Sequence, residues 1–310
     1  MTVPLIDLVA RDLATPVREA VHAFAEALAA EQDTTAVLFY GSILRTGDLD
    51  GVLDFYILTD GPHRTGLRGW RERKLWPEVD FRECTHSETV LRAKIAVLPL
   101  TTFAEAAAGQ RLDTTIWTRF VQPCALVWTR GEADRDAVTR AVADAAVTAA
   151  RYAAVLGPGS GEPLVWWRAL FAQTYRAEFR VERAGRENQI VGFDPDRYAA
   201  ILPLAWAAGG IAFQQDGARL SPSLSPTERH RILTEWRRRR RLGKPLNIAR
   251  LIKAAFTFTG ATQYAVWKIE RHTGLVVPLT PWRIRHPVLA SPGVLYRLWR
   301  RKRRAQRDAR

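Results

Sequence analysis

The sequence predicts an α/β (α+β) domain with a mixed sheet, then a mainly helical region, then a basic amphipathic helix at the C-terminus. Three observations carry this. Residues 36–59 hold two short apolar runs, 36–40 and 52–58, joined through a turn rich in Gly and Asp, which fits neighbouring strands of one sheet. Beyond residue 130 the apolar residues recur at helical spacing instead. Residues 291–310 set an apolar stripe beside a run of basic side chains.

Taken in order, Thr15 can cap a helix with Pro16 in its first turn, and Val17, Val21, Phe24 and Leu28 then share one face. That helix leads into the 36–40 strand. Residues 61–80, punctuated by Pro62, Gly66 and Gly69, read as a loop with a short helix. Residues 91–98 form a third strand carrying one lysine, Lys94. Residues 102–108 and 114–121 read as helices, and 125–128 as a short strand closing the first domain near residue 130. Residues 133–156 make an alanine-rich helix stopped by Gly157-Pro158-Gly159-Ser160-Gly161. A helix over 164–183 buries Leu164, Trp167, Leu170, Phe171, Tyr175 and Phe179. Residues 192–224 read as helix with breaks. Ser225-Pro226-Thr227-Glu228 opens a helix that ends in Trp236 and the arginines 237–241, and 248–270 is helical again. The expected domains are 1–130, 131–245 and 246–310.

With 47% apolar residues and 11 tryptophans, the 310-residue chain can bury a core and is globular. Its net charge of +14 points to an anionic partner. That charge is confined: residues 231–250 hold eight Arg or Lys against Glu235, and 291–310 hold eight against Asp308, so the remainder is neutral. Two confined patches suggest docking surfaces and no nucleic-acid-coated body. Cys84 and Cys124 are too few for a disulfide framework or a zinc site. Asp7, Asp12 and Glu19 argue against a transit peptide. The most apolar run, 198–213, is broken by Pro203 and Gly209-Gly210 and falls short of the roughly 18–20 residues a membrane span needs. The protein is expected to be soluble or peripheral.

Asp54 stands inside the second apolar run, where an acid is costly unless it has a partner. Beside it, the Gly41-Ser42 turn offers backbone amides that suit phosphate, and a carboxylate suits Mg²⁺. Gly-Ser followed after nine residues by Val52-Leu53-Asp54 has the spacing of the DNA polymerase beta nucleotidyltransferase superfamily, with Val52 where that superfamily carries a first metal aspartate. An ordinary strand–turn–strand with a rim aspartate bound to backbone amides accounts for the same residues. Asp48, Asp50 and Asp80 are candidates for a second metal ligand, or plain surface acids. The chain has only six lysines among 46 basic residues, so Lys94 in a strand marks either a need for a compact charge against phosphate or a strand-edge lysine reaching water.

Beyond this motif the chain resembles the mitochondrial CDP-diacylglycerol synthase family (mitochondrial phosphatidate cytidylyltransferase, or translocator assembly and maintenance protein). The matching residues are Tyr40-Gly41-Ser42, Leu53-Asp54-Phe55, Lys94, the segment Arg119-Phe120-Val121-Gln122-Pro123, Thr174 to Arg180, and Lys253-Ala254-Ala255-Phe256-Thr257. The family's Trp-His and asparagine-bearing segment is echoed in residues 61–78 only by Gly61-Pro62-His63. The resemblance implies a nucleotidyltransferase domain, a helical winged-helix-like domain and a basic C-terminal element that touches the membrane. It implies CTP and phosphatidate, or a related lipid phosphate, as substrates and Mg²⁺ as cofactor. Asp54 and Lys94 would be catalytic, with Asp54 holding the metal; Tyr40, Gly41, Ser42, Arg119, Tyr175, Glu178, Arg180 and Lys253 would bind nucleotide. For Tyr175, Glu178 and Arg180, a helix face packed on its neighbour is the alternative.

The arginines 237–241 read as a solvated helix end. In the tail, Val294, Leu295, Leu298 and Trp299 form a stripe followed by Arg300, Arg301, Lys302, Arg303 and Arg304. An anionic membrane surface is its expected partner, which places the protein peripherally on the cytoplasmic, inner face of the cell membrane or an equivalent inner membrane. A disordered basic tail and an RNA-binding arm are the rivals, although no nucleic acid partner is expected. Two other functions stay open: a soluble nucleotidyltransferase acting on a small molecule or protein hydroxyl, and an inactive module that binds nucleotide or RNA.

Overall fold

The computed structural model describes residues 4–61, 76–177 and 185–257 apart from positions 32, 50 and 88, with a few further positions between 278 and 293. Two helices lead in, α1 (Leu5–Leu13) and α2 (Glu19–Ala30), followed by β1 (Thr34–Tyr40). The sequence reading leaves α1 unassigned, although Leu5, Val9 and Leu13 stand one turn apart and are all buried. Thr15 does not cap α2. Pro16 disfavours helical backbone at the residue before it, the helix starts only at Glu19, and the Thr15 hydroxyl donates back to the Asp12 carbonyl at 2.6 Å.

After β1 come α3 (Ser42–Thr46), β2 (Val52–Thr59), β3 (Glu78–His86) and β4 (Thr89–Pro99). Asp80, expected in a loop, lies in the edge strand β3, whose exposed alternating charges conceal it from a search for apolar runs. Next follow α4 (Leu100–Ala107), α5 (Thr115–Phe120) and β5 (Cys124–Thr129), in the expected order. The sheet runs β3-β4-β2-β1-β5 and is mixed, as predicted: β2 and β4 are parallel and every other pair is antiparallel.

Alternation along the strands gives this sheet two apolar faces. Val37, Phe39, Phe55, Ile57 and Ile95 pack beneath Phe24 and Leu28 of α2. Leu38, Tyr40, Tyr56, Leu58 and Leu98 belong to a second core shared with the helical half of the chain. At the centre of that half is α6 (Glu132–Leu156), whose many buried alanines let its neighbours approach closely. Around it lie α7 (Pro163–Ala177), α8 (Arg186–Phe193) and α9 (Pro195–Ala208). Trp117, Trp166, Trp167 and Trp206 are all fully buried there, each removing a large apolar area from water.

The segment after α9 corrects a helical expectation. Residues 212–223 form a hairpin, β6 (Ala212–Asp216) and β7 (Arg219–Ser223), turning at Gly217 with φ +57°. Leu220 of β7 bridges back to Gly161, so helix, bridge, helices and hairpin follow each other in the order of a winged helix. The next helix, α10 (Pro226–Thr257), starts at the expected residues, on a capping box: the Ser225 amide donates to Glu228 Oε2 at 3.1 Å and the Glu228 amide to Ser225 Oγ at 3.2 Å. It then runs through Pro245 as one helix, without the expected break after the arginines.

Those arginines are not one solvated end. Arg239 is buried; its Nε donates to Tyr152 Oη at 2.7 Å, and its Nη atoms reach the carbonyls of Gly109, Arg111 and Asp113. Arg197 of α9 makes a second internal tie, to Asp12 at 2.5 Å and to the Val121 carbonyl at 2.9 Å. Burial pushes the Asp12 carboxyl above its ordinary value, although Arg197 pulls it down. Cys84 and Cys124 are both free, and burial pushes the Cys124 thiol up to about 12. Among the described residues no helix is long and apolar enough to cross a membrane.

Candidate active site

The site begins where β1 stops. Tyr40, the last residue of β1, pairs with Asp54 of β2, and Gly41 follows with φ +99° and ψ −160°. A Cβ on Gly41 would stand 2.9 Å from Asp54 Oδ2. Glycine is therefore required twice, by the backbone angle and by the carboxylate lying against it. Ser42 and Arg45 come next, one turn apart on α3.

Across the sheet, the parallel register of β2 and β4 sets Lys94 directly beside Asp54. Both side chains fall on the face of Tyr40, Tyr56 and Leu98, which the helices cover. Arg119 descends onto that face from α5. Its Nη1 donates to Tyr56 Oη at 2.6 Å, and its guanidinium carbon lies 5.1 Å from the centre of the Tyr40 ring and 5.6 Å from that of Tyr56. Burial pushes the Tyr56 hydroxyl above its ordinary value, against the pull of Arg119.

Asp54, Lys94 and Arg119 line one cavity of about 180 Å³. Tyr40, Gly41, Ser42, Asp54, Lys94, Arg119 and Tyr175, all expected from the sequence, are brought together in it. Arg45, Gln122, Pro123 and Ile190 also line it and were not expected to. Arg45 had a readable signal, its place one helical turn after Ser42; Ile190 of α8 had none. Phe193, at the end of α8, carries Arg45 at 5.9 Å from its ring centre, so one cation of the cavity leans on the helical half. Glu178, Arg180 and the side chain of Lys253 lie outside the described residues, as do Leu295, Leu298, Trp299, Arg300, Arg301 and Lys302.

Asp54 is the only carboxylate among the described lining residues, against Arg45, Lys94 and Arg119. Among the described residues no group of three His, Cys, Asp or Glu could hold a metal ion. Of the three acids considered as second ligands, Asp80 pairs with Ile95 on the opposite face of the sheet, where it accepts from the Phe81 amide at 2.8 Å and from Arg82 Nε at 2.7 Å. Asp48 is exposed and does not line the cavity. Asp50 lies outside the described residues. Mg²⁺ is commonly held by one or two carboxylates together with substrate phosphates. The donor set thus fits an ion arriving with phosphate and does not form a cage of protein ligands.

No family model matches the chain and no curated protein matches it. Among solved structures, a nucleotidyltransferase-like protein from Exiguobacterium sibiricum 255-15 aligns over 92% of this chain and 91% of its own, at 13% identity and a TM-score of 0.26. Nothing is carried over from a likeness of that size.

Proposed function

We propose that the chain is a nucleotidyltransferase that moves a cytidylyl group from CTP to phosphatidate or a related lipid phosphate, giving CDP-diacylglycerol and pyrophosphate. The observation that carries this reading is the meeting of Gly41, Asp54, Lys94 and Arg119 in one cavity. Among the described lining residues, three cations facing one carboxylate favour a ligand with several negative charges.

In the reaction, a phosphate-monoester oxygen attacks the α-phosphorus of CTP in line. The new P–O bond forms as the bond to the β-phosphate breaks, and pyrophosphate leaves with the electron pair. Lys94, Arg119 and Arg45 offset the repulsion between the two anionic reactants. When bound, Mg²⁺ neutralises phosphate charge, and Asp54 is the residue that would hold it. A monoester has its second pKa at about 6 and arrives ionised, whereas a hydroxyl acceptor needs a general base. No histidine and no carboxylate besides Asp54 is among the described lining residues, which favours the phosphate acceptor.

Transfer of label from α-labelled CTP to phosphatidate tests the reading, with pyrophosphate release measured alongside. Asp54→Asn should lower turnover by about a hundredfold or more. Absence of turnover by the wild type, or undiminished turnover by Asp54→Asn, sinks it. The size of the cavity favours a second reading, a small phosphorylated acceptor, because about 180 Å³ lies below the roughly 300 Å³ at which ligand pockets begin. Glycerol 3-phosphate offered in place of phosphatidate separates the two.

The proposed acceptor is a membrane lipid, so it has to be met at a lipid surface. An anionic membrane is therefore the partner we assign, with α10 contributing to its contact. The side chains of Arg237, Arg238, Arg240, Arg241 and Lys244 are all exposed on that helix, away from the buried Ile232, Trp236 and Arg239.

A further inference from the structure

We infer that Tyr56 is a positioning residue: its buried hydroxyl, with the Tyr40 ring, holds the Arg119 guanidinium in the cavity wall, so that a polyphosphate meets an arginine already in place. This rests on the nucleotidyl-transfer reading of the cavity. Tyr56 lies outside the motif that defines the site by sequence; it stands two residues beyond Asp54, on the same face of β2, behind the Tyr40 and Arg119 side chains that line the cavity.

Tyr56 is 1% exposed, so its hydroxyl has no access to bulk water and has to find a protein partner. It accepts from Arg119 Nη1 at 2.6 Å. The two tyrosine rings are diagonal neighbours on adjacent strands, 5.4 Å apart between centres. Phe120 closes against both, at 5.1 Å from Tyr56 and 5.8 Å from Tyr40, and Phe103 packs behind Phe120 at 4.8 Å. The floor under the guanidinium is thus a packed aromatic cluster with little room to shift.

A phenol suits this task better than a carboxylate. It fixes one guanidinium N–H without adding negative charge beside the cavity. A free arginine side chain loses much rotamer freedom when it grips a phosphate. Holding it beforehand moves that loss from ligand binding into folding, which raises affinity without any new contact.

The test compares the full chain with Tyr56→Phe, which keeps the ring and loses the hydroxyl. Calorimetric titration with CTP and with inorganic tripolyphosphate should show Kd rising roughly tenfold for both, with KM for CTP following and kcat changing by less than about threefold. Arg119→Lys should lose a similar amount, and the double variant should lose no more than Arg119→Lys alone. In the free protein, nitrogen relaxation at Arg119 Nε should report a more mobile side chain in Tyr56→Phe, a readout independent of any ligand. Wild-type affinity in Tyr56→Phe, additive losses in the double variant, or an unchanged Arg119 order parameter overturns the inference while leaving the nucleotidyl-transfer reading intact. Failure of the wild type to bind either CTP or tripolyphosphate overturns both.

Discussion

Gly41 occupies a backbone conformation that L side chains rarely adopt, and the space a Cβ would fill already belongs to Asp54 Oδ2, 2.9 Å away. Gly41→Ala therefore has two costs, a strained φ of about 1–3 kcal/mol and a displaced carboxylate. It should lower the urea midpoint accordingly and depress transfer more than Ser42→Ala does, because only the first substitution moves Asp54. Equal activity in the two variants would mean that the close contact is incidental. At this scale the sequence was readable where strand alternation and glycine chemistry act together. Tyr40, Gly41, Asp54 and Lys94 follow from a period of two and a turn. Ile190 reaches the cavity only through packing between distant elements, and no local pattern encodes that.

Among elements, α10 shows why composition alone misleads. Five consecutive arginines read as one charged stretch, yet a helix turns roughly 100° per residue and cannot face them all the same way. Arg239 falls on the side of Ile232 and Trp236 and ties down the 109–113 segment that leads into α5 and Arg119. Arg239→Met should cost about 3 kcal/mol in chemical denaturation, since it strands buried carbonyls and the Tyr152 hydroxyl. Arg240→Gln, one residue on and exposed, should stay within about 0.5 kcal/mol. Similar losses in both would contradict the division of the run. The same limit explains the hairpin at 212–223. Its Asp216-Gly217 turn was a legible signal, but the flanking strands are short and mostly exposed, so they lack the apolar alternation that marks a strand. The edge strand β3 was missed because charges interrupt its few apolar residues and none of its side chains is fully buried.

For the molecule as a whole, the informative quantity is where its charge lies. Inner arginines are consumed by the fold: Arg197 by Asp12, Arg239 by loop carbonyls, Arg250 by Asp113 and the face of Trp76 at 4.3 Å. What remains on α10 is an exposed arc of roughly 160° carrying Arg237, Arg238, Arg240, Arg241 and Lys244. Exposed cations of this kind act on an anionic bilayer with about 1 kcal/mol each, within a Debye length of about 10 Å at 0.1 M salt. Replacing the four arginines by glutamine should therefore lower the partition of the full chain onto phosphatidate-containing vesicles by about a hundredfold or more, because the tail at 291–310 remains to hold part of it. Uncharged phosphatidylcholine vesicles should bind neither protein, and raising the salt should release the wild type. Unaltered sedimentation of the four-fold variant would assign membrane contact to the tail alone. Displacement of the wild type by a structured RNA at equal charge concentration, with vesicles unable to compete back, would instead make α10 a nucleic-acid surface. The proposal of a lipid surface rests on the proposed acceptor, a membrane lipid phosphate, and on the exposed cations of α10.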